Sequence, residues 1–210
     1  MASVLPFDEL NRFEETLPMF FNEEGKIKSK EDYDSLLDMM EDFFLLAYAN
    51  GVEITNLSLG SDIKADIAAV EKTVNKPIEG KTWRQRMEDY YRADMETSTE
   101  KPTAVENAPI VSANKPTHGT IADVIRIIET EAHRDSNAGA YETARKAGAT
   151  QKVWHTMLDD RVRDSHQYLE GVVAPIDGEF YSFAGNHTQY PGQWGIAEED
   201  VGCRCYLTFK

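Results

Sequence analysis

The sequence predicts an α+β protein, with a small helical bundle first and then one or more helices packed on a small, mainly antiparallel sheet. Three observations predict it. A wide apolar stripe at helical spacing runs from Tyr33 to Tyr48. Beyond Gly148 the apolar period shortens to about two residues, the spacing of a strand. Between these regions lies Thr97–Thr117, TSTEKPTAVENAPIVSANKPT, with three prolines and few large apolar side chains. The chain therefore divides into an acidic helical domain (1–97), a linker or extended arm (98–117) and an α+β domain (118–210).

Each element has its own signal. Phe7, Leu10, Phe13 and Leu17 recur at helical spacing before Pro18, as in a short helix or an ordered arm, and Asn22–Gly25 reads as a turn. Ser29 with Asp32 three residues on is a variant capping box. Tyr33, Leu36, Leu37, Met40, Phe43, Phe44, Ala47 and Tyr48 then form the stripe of a core helix, which Asn50-Gly51 is predicted to end. Ser61-Asp62 opens a second helix with Ile63, Ile67, Val70 and Val74 on one face, closed by Pro77 and Gly80. Thr82 starts a third, carrying Trp83, Met87, Tyr90 and Tyr91.

After the arm, Thr120 and Asp123 cap a helix with Ile121, Val124, Ile125, Ile128 and Ala132 on its apolar face. Ala138, Tyr141, Ala144 and Ala147 either continue it or form a second helix after a break near Ser136-Asn137, with Gly148 as the stop. Strands are predicted at 153–157, where Val153, His155 and Met157 alternate with Trp154 and Thr156, and at 179–183 and 203–209. Gly185-Asn186 and Tyr190–Gly192 are turns.

Composition narrows the function classes. Hydrophobic residues make up 41% of the 210 residues and aromatics 10%, enough to bury a core and too much for a disordered chain. No apolar run approaches the roughly 18 residues of a membrane span, and MASVLPFDEL has neither the basic nor the apolar region of a secretory signal, so none is expected. The net charge is −15, and residues 1–100 carry 11 basic against 22 acidic side chains. That half repels a phosphate backbone, so it presents either a solvated surface or a docking face for a basic protein. The two cysteines, Cys203 and Cys205, are too close in sequence for an easy disulfide, and a reducing compartment fits them.

No nucleotide-binding glycine loop, G-x-S-x-G elbow or H-E-x-x-H is present. Unusual residues concentrate instead between Trp154 and Cys205. His166, Cys203 and Cys205 are zinc-ligand types, and a strand would turn both cysteines to one face. His155, His187 or Asp159 could serve as a fourth ligand. The alternative is a packed structural cluster of two small buried thiols and a hydrogen-bonded histidine. Arg161 and Arg163 follow Asp159-Asp160, either as an ion-paired turn or as contacts to a partner's phosphate or carboxylate. Trp154 and Trp194 read as core. Glu129 and Glu131, two apart on a helix, face different ways and are no acid–base pair.

These residues carry a resemblance. The run from Lys152 to Gly171, with Trp154, then Asp159, Arg161 and Arg163, then His166, Leu169 and Gly171, is similar to the signature of phage Mu F-like minor head proteins, also called head morphogenesis proteins. Pro191-Gly192 and Cys203-Arg204-Cys205 follow in the family's order, and Thr130, Glu131 and Asn137 resemble upstream family positions. The match covers about 120–209. Two positions depart from the pattern: Gly202 stands where asparagine is usual, and Gln193 where an acid is common.

The resemblance implies a non-enzymatic minor structural protein of a tailed-phage head. It would sit at the portal vertex, act in head morphogenesis, and have a part in DNA packaging or ejection. Its partners would be the portal and other head proteins, with DNA contact left open and no membrane in the mature particle. Its location would be the virion, and the bacterial host cytoplasm during assembly. It also implies that His166, Cys203 and Cys205 converge; because free cysteine is among the most buried residue types, a packed cluster without a cofactor is expected in preference to a zinc site. Two alternatives remain: an enzyme or toxin-like domain acting on RNA or nucleotides, with His166 as general acid or base and Arg161 or Arg163 on phosphate, and a zinc-stabilised interaction module.

Overall fold

The computed structural model describes residues 7–99 and 120–210. Leu10 and Phe13 build the first helix, α1 (Phe7–Thr16), and Leu17–Phe20 tightens into a 3₁₀ turn that takes Pro18 at its start, where no N–H is needed. The Asn22–Gly25 turn forms, with the Gly25 N–H donating to Asn22 O at 2.9 Å.

Ser29 accepts the Asp32 N–H at 3.0 Å and starts α2 (Lys30–Leu59), whose stripe is buried as expected. The helix does not stop at Asn50-Gly51. It runs eight residues further and ends at Gly60, φ 65°. Gly51 is a packing notch: a Cβ there would lie 2.0 Å from Ser136 O on the helix α5 (Ile121–Lys146). From the other side, a Cβ on Gly139 would lie 2.2 Å from Tyr48 O. The two backbones touch where neither carries a side chain. Each glycine costs about 1 kcal/mol of helix propensity, which the close crossing offsets.

Helix α3 (Ile67–Val74) begins later than Ser61-Asp62 predicts. The reason is Asn56 on α2, which accepts the Ile63 N–H at 2.9 Å and donates to Ile63 O at 2.8 Å, so residues 61–63 are tied down before they can coil. Helix α4 (Trp83–Thr99) starts where Thr82 predicts, with the Thr82 N–H donating to Gln85 Oε1 at 2.8 Å. It continues to Thr99, so the first two residues of the expected 98–117 arm are helical, and the rest of it lies outside the described residues.

Helix α5 opens on a full capping box between Thr120 and Asp123 and runs unbroken through Ser136-Asn137. Beyond Gly148 (φ 84°) comes a three-stranded antiparallel sheet, order β2-β1-β5, made of β1 (Gln151–His155), β2 (Val173–Pro175) and β5 (Tyr206–Phe209). A two-stranded ribbon pairs β3 (Phe180–Tyr181) with β4 (His187–Thr188). Two short helices, α6 (Asp164–Gln167) and α7 (Ala197–Asp200), sit in the connections. Helices with a small antiparallel sheet confirm the α+β class.

The first strand lies two residues upstream of the predicted 153–157, the strands predicted at 179–183 and 203–209 are shorter, and β2 and β4 were not predicted. The 203–209 strand begins only at Tyr206, and the alternation after Gly148 is imperfect because Lys152, Val153 and Trp154 are all buried, with both faces of β1 covered. One continuous apolar cluster runs from Leu10 through α2, α4 and α5 to Leu207. The helices on the two sides of residues 100–119 thus share a core.

Candidate functional site

Trp154, fully buried on β1, anchors the site. Its ring packs edge-on against His166, Phe180 and Trp194, with centroids 5.7, 5.1 and 5.9 Å away. From β1 the chain turns through Asp159–Arg163 into α6, which points His166 inward, 1% exposed and stacked on Trp194 at 5.5 Å. The loop before β5 brings Cys203 and Cys205 to the same place: both Sγ atoms lie 3.7 Å from His166 Nδ1. His166 Nε2, on the far side of the ring, is 3.1 Å from Glu199 Oε2 on α7. Convergence across 37 residues is therefore realised.

Three sets of contacts hold this arrangement. Arg163 donates to the carbonyls of Glu199 at 2.9 Å and Val201 at 2.6 Å, fixing the end of α7. Glu199 accepts the Ser165 hydroxyl at 2.8 Å and the Asn186 amide at 3.3 Å, while Asp200 takes the N–H groups of Trp194 and Gly195 at 3.0 and 2.7 Å. From α5, the His133 Nε2–H donates to Cys205 O at 2.7 Å, the Asn137 amide donates to the same oxygen at 3.2 Å, and Thr130 Oγ1 accepts the Gly202 N–H at 3.4 Å. The cysteine loop is thus clamped by its backbone, which leaves the two sulfurs to face His166.

The electrostatics follow from these contacts. The Cys203 thiol is pushed up to about 11 by its hydrogen bond with Cys205 and by burial. The same bond draws Cys205 below the usual thiol range, against burial. Burial works to raise Glu199, but the hydrogen bonds from Ser165, Ser182 and Asn186 outweigh it and hold the carboxyl below its ordinary value. In Asp200 burial prevails and the carboxyl is raised.

The other predicted residues take structural places. Asp159 forms a two-pronged pair with Arg204, at 2.8 and 2.6 Å, and this hydrogen bonding lowers its pKa. The expected ion-paired turn exists, but its cation is Arg204; Arg161 is exposed and gives its backbone N–H to Asp159 at 3.1 Å. Gly171, φ 72°, donates to Trp154 O at 2.9 Å. Gly192, φ 83°, lies against Arg134, where a Cβ would come within 3.0 Å of the Arg134 Cα. Gly202 has φ 69°, a conformation that glycine and asparagine both tolerate, so the departure there is conformationally neutral. None of the expected fourth ligands joins the cluster. His155 binds Glu170 at 3.1 Å and Thr208 at 2.9 Å, His187 binds Glu179 at 3.0 Å, and Asp159 is taken by Arg204.

Sequence reading missed Glu199 and His133. Glu199 hides in the run Glu198-Glu199-Asp200, which looks like a solvated acidic turn. His133 had a signal, since it stands four residues before Asn137 and so on the same helix face. A second polar group lies deeper in α5. Glu131, fully buried, pairs with both Arg86 and Arg134, and Arg134 donates to Lys76 O at 2.8 Å and Val74 O at 3.3 Å, capping the end of α3.

Comparison with known proteins follows the same residues. Positions 67–208 match the family described as Phage Mu protein F like protein. That span reaches upstream of 120–209 into α3 and α4, the elements that supply α5 with Arg86 and the Lys76 and Val74 carbonyls. NAD(+)--arginine ADP-ribosyltransferase EFV of Enterococcus faecalis is 31% identical over 144 residues, which are 63% of this chain and 29% of that protein. Minor head protein GP7 of Bacillus phage SPP1 is 36% identical over 83 residues, 38% of this chain and 27% of that protein. The chain thus spans less than a third of either relative's length. No solved structure matches it.

Proposed function

Because the chain belongs to the Phage Mu protein F like family, we propose that it is a minor structural component of a tailed-phage head that acts by binding other head proteins at the portal vertex during morphogenesis. The observation that carries this reading is the 36% identity to a minor head protein over 83 residues. The structure supplies supporting reasons. The motif residues are spent on holding loops: Arg163 on α7, Asp159 on Arg204, Asn137 and His133 on Cys205. His166, walled by two tryptophans and 1% exposed, is poorly placed to act on a substrate as an acid or base.

The docking surface in this reading is the acidic outer side of α2, where Glu31, Asp34, Asp38 and Asp42 are exposed in a row three or four residues apart. Such a row repels DNA and suits basic residues on a partner protein. No described helix is long and apolar enough to cross a membrane.

The second relative favours a second reading, in which a segment of this kind belongs to a protein that transfers ADP-ribose to arginine. The matched segment is a minor part of each relative, 29% and 27% of their lengths. The test uses purified virions and the isolated chain. The chain should be found in the particle, should bind an isolated portal ring less tightly as salt rises, and should lose that binding when Asp34, Asp38 and Asp42 become lysine. Absence from the particle, or ADP-ribosylation of arginine or hydrolysis of RNA by the purified chain, would replace this reading with the enzymatic one.

A further inference from the structure

We propose that His166 Nδ1, Cys203 Sγ and Cys205 Sγ hold one zinc ion, with a water molecule in the fourth position on the side of an arginine-lined cleft. This reverses the expectation of a metal-free cluster and is independent of the head-protein reading. Four observations carry it.

The first is distance. A tetrahedral zinc with bonds of about 2.1 Å to nitrogen and 2.3 Å to sulfur spaces those atoms roughly 3.5–3.6 Å apart. Here each sulfur stands 3.7 Å from Nδ1, and all three donor atoms lie within 4.8 Å of one another. The second is orientation. Histidine ligands to zinc donate their other ring N–H to a carboxylate, which fixes the tautomer. Glu199 Oε2, 3.1 Å from Nε2, is the carboxylate within ion-pair reach, itself held by Ser165 at 2.8 Å; Nε2 makes no hydrogen bond among the described residues in this arrangement, and a small rotation of the ring or carboxylate would align the two. With the proton on Nε2, the Nδ1 lone pair faces the two sulfurs.

The third is preorganisation. Contacts from α5 to the 202–205 backbone set both sulfurs on one side before any ion arrives, so little ordering remains to oppose binding. The fourth is the open side. Among the described residues the donor group has three members, one short of a closed structural site. A cleft with about 10 Å³ of room for water-sized ligands is bordered by His166, Cys203 and Cys205, and its remaining wall includes Arg161, Arg163 and Arg204 with no acid. That is space for about one water. Zinc with two thiolates is neutral overall, so the cations oppose it weakly; Arg204 is already paired with Asp159, and Arg161 and Arg163 are the charges left to favour hydroxide or a small anion on the open position. Two thiolates and an imidazole select zinc over the hard cations magnesium and calcium.

The experiment uses the full chain, purified reduced and without chelator, then dialysed against trace zinc. Elemental analysis should give one zinc per chain, and Cys203→Ser and Cys205→Ser should lose it. Glu199→Gln keeps all three ligands and should still bind one zinc at saturation, with affinity 10–100-fold lower in competition with a chromophoric chelator. Circular dichroism shows whether each variant is folded. Cobalt(II) in place of zinc should give the intense visible bands of a tetrahedral thiolate site, and azide should shift them. Wild-type protein that stays folded and takes up neither zinc nor cobalt overturns the site. Unchanged affinity in Glu199→Gln overturns the carboxylate–histidine link, and a cobalt spectrum indifferent to azide overturns the open position.

Discussion

Helix α2 turns tyrosine, leucine, methionine and phenylalanine inward and leaves acids outside. Helix α5, which crosses it at Gly51 and Gly139, is buried on every side from Thr130 to Gly139, and that stretch includes Glu131, His133, Arg134, Asp135 and Asn137. The first helix is stabilised by apolar area, which has no direction and tolerates many neighbours. The second depends on particular partners: Arg86 for Glu131, the end of α3 for Arg134, the cysteine loop for His133 and Asn137. Apolar burial leaves a periodic trace in a sequence. Polar burial does not, because the same residue types are ordinarily exposed.

If that contrast is right, the largest effect comes from breaking a charge on α5. Arg134→Ala should cost about 3–5 kcal/mol, since Glu131 is left buried with one partner fewer and the α3 carbonyls lose their donor. Denaturant midpoints would measure it, and a loss under about 1 kcal/mol would place α5 on the same footing as a solvated helix. Asp135 gives the pH signature. Burial holds its carboxyl well above the usual range, with Arg134 opposing. The folded protein keeps this proton where the unfolded chain has released it, so the contribution of Asp135 to stability falls as pH rises above about 4. Asp135→Asn, which never ionises, should gain on the wild type as pH increases; a gap that stays constant with pH would show that the carboxyl titrates normally.

The crossing itself comes next. Gly51→Ala and Gly139→Ala each improve helix propensity, yet each should destabilise by about 1–3 kcal/mol because a methyl group meets a carbonyl of the other helix. The double variant should cost less than the sum, as the first substitution already parts the helices. A stabilised single variant would mean the glycines serve something other than close approach. Smaller still are the caps: Ser29→Ala on α2 and Thr120→Ala on α5 should each cost about 1 kcal/mol, equally, since capping is local and ignores what the rest of the helix buries. Least disruptive should be a protease cut introduced within 100–119. The two pieces share a core and should co-elute on gel filtration, whereas separation would show that 1–97 and 118–210 stand alone.

Much of this was legible from residue patterns. The α2 stripe, the Ser29 and Thr120 caps, the buried tryptophans and the α+β class all rest on short-range rules of period and capping. So does the order of Trp154, His166 and the cysteines that signals the family. Misreadings occurred where one residue type serves two purposes. Gly51 has the look of a helix stop and is a contact surface. Glu199 has the look of a solvated acid and holds a histidine. Asn56 gave no sign that it would delay α3.

The sequence by itself determined where the long helices lie, that a small, mainly antiparallel sheet follows them, and which family the chain resembles, because hydrophobic period, capping and motif order are local properties; that 173–175 and 187–188 are strands, and which strands pair, came from the tertiary structure. Only the tertiary structure decided that α2 runs on past Gly51 to Gly60, that α5 stays whole through Ser136-Asn137, and that His166 faces two sulfurs with Glu199 behind it. Each of those outcomes depends on an atom supplied from far along the chain. Ser136 O excludes any side chain at position 51, and Cys205 O receives His133 and Asn137 across some seventy residues. Directional contacts of that reach are set by packing, and no window along the sequence contains both partners.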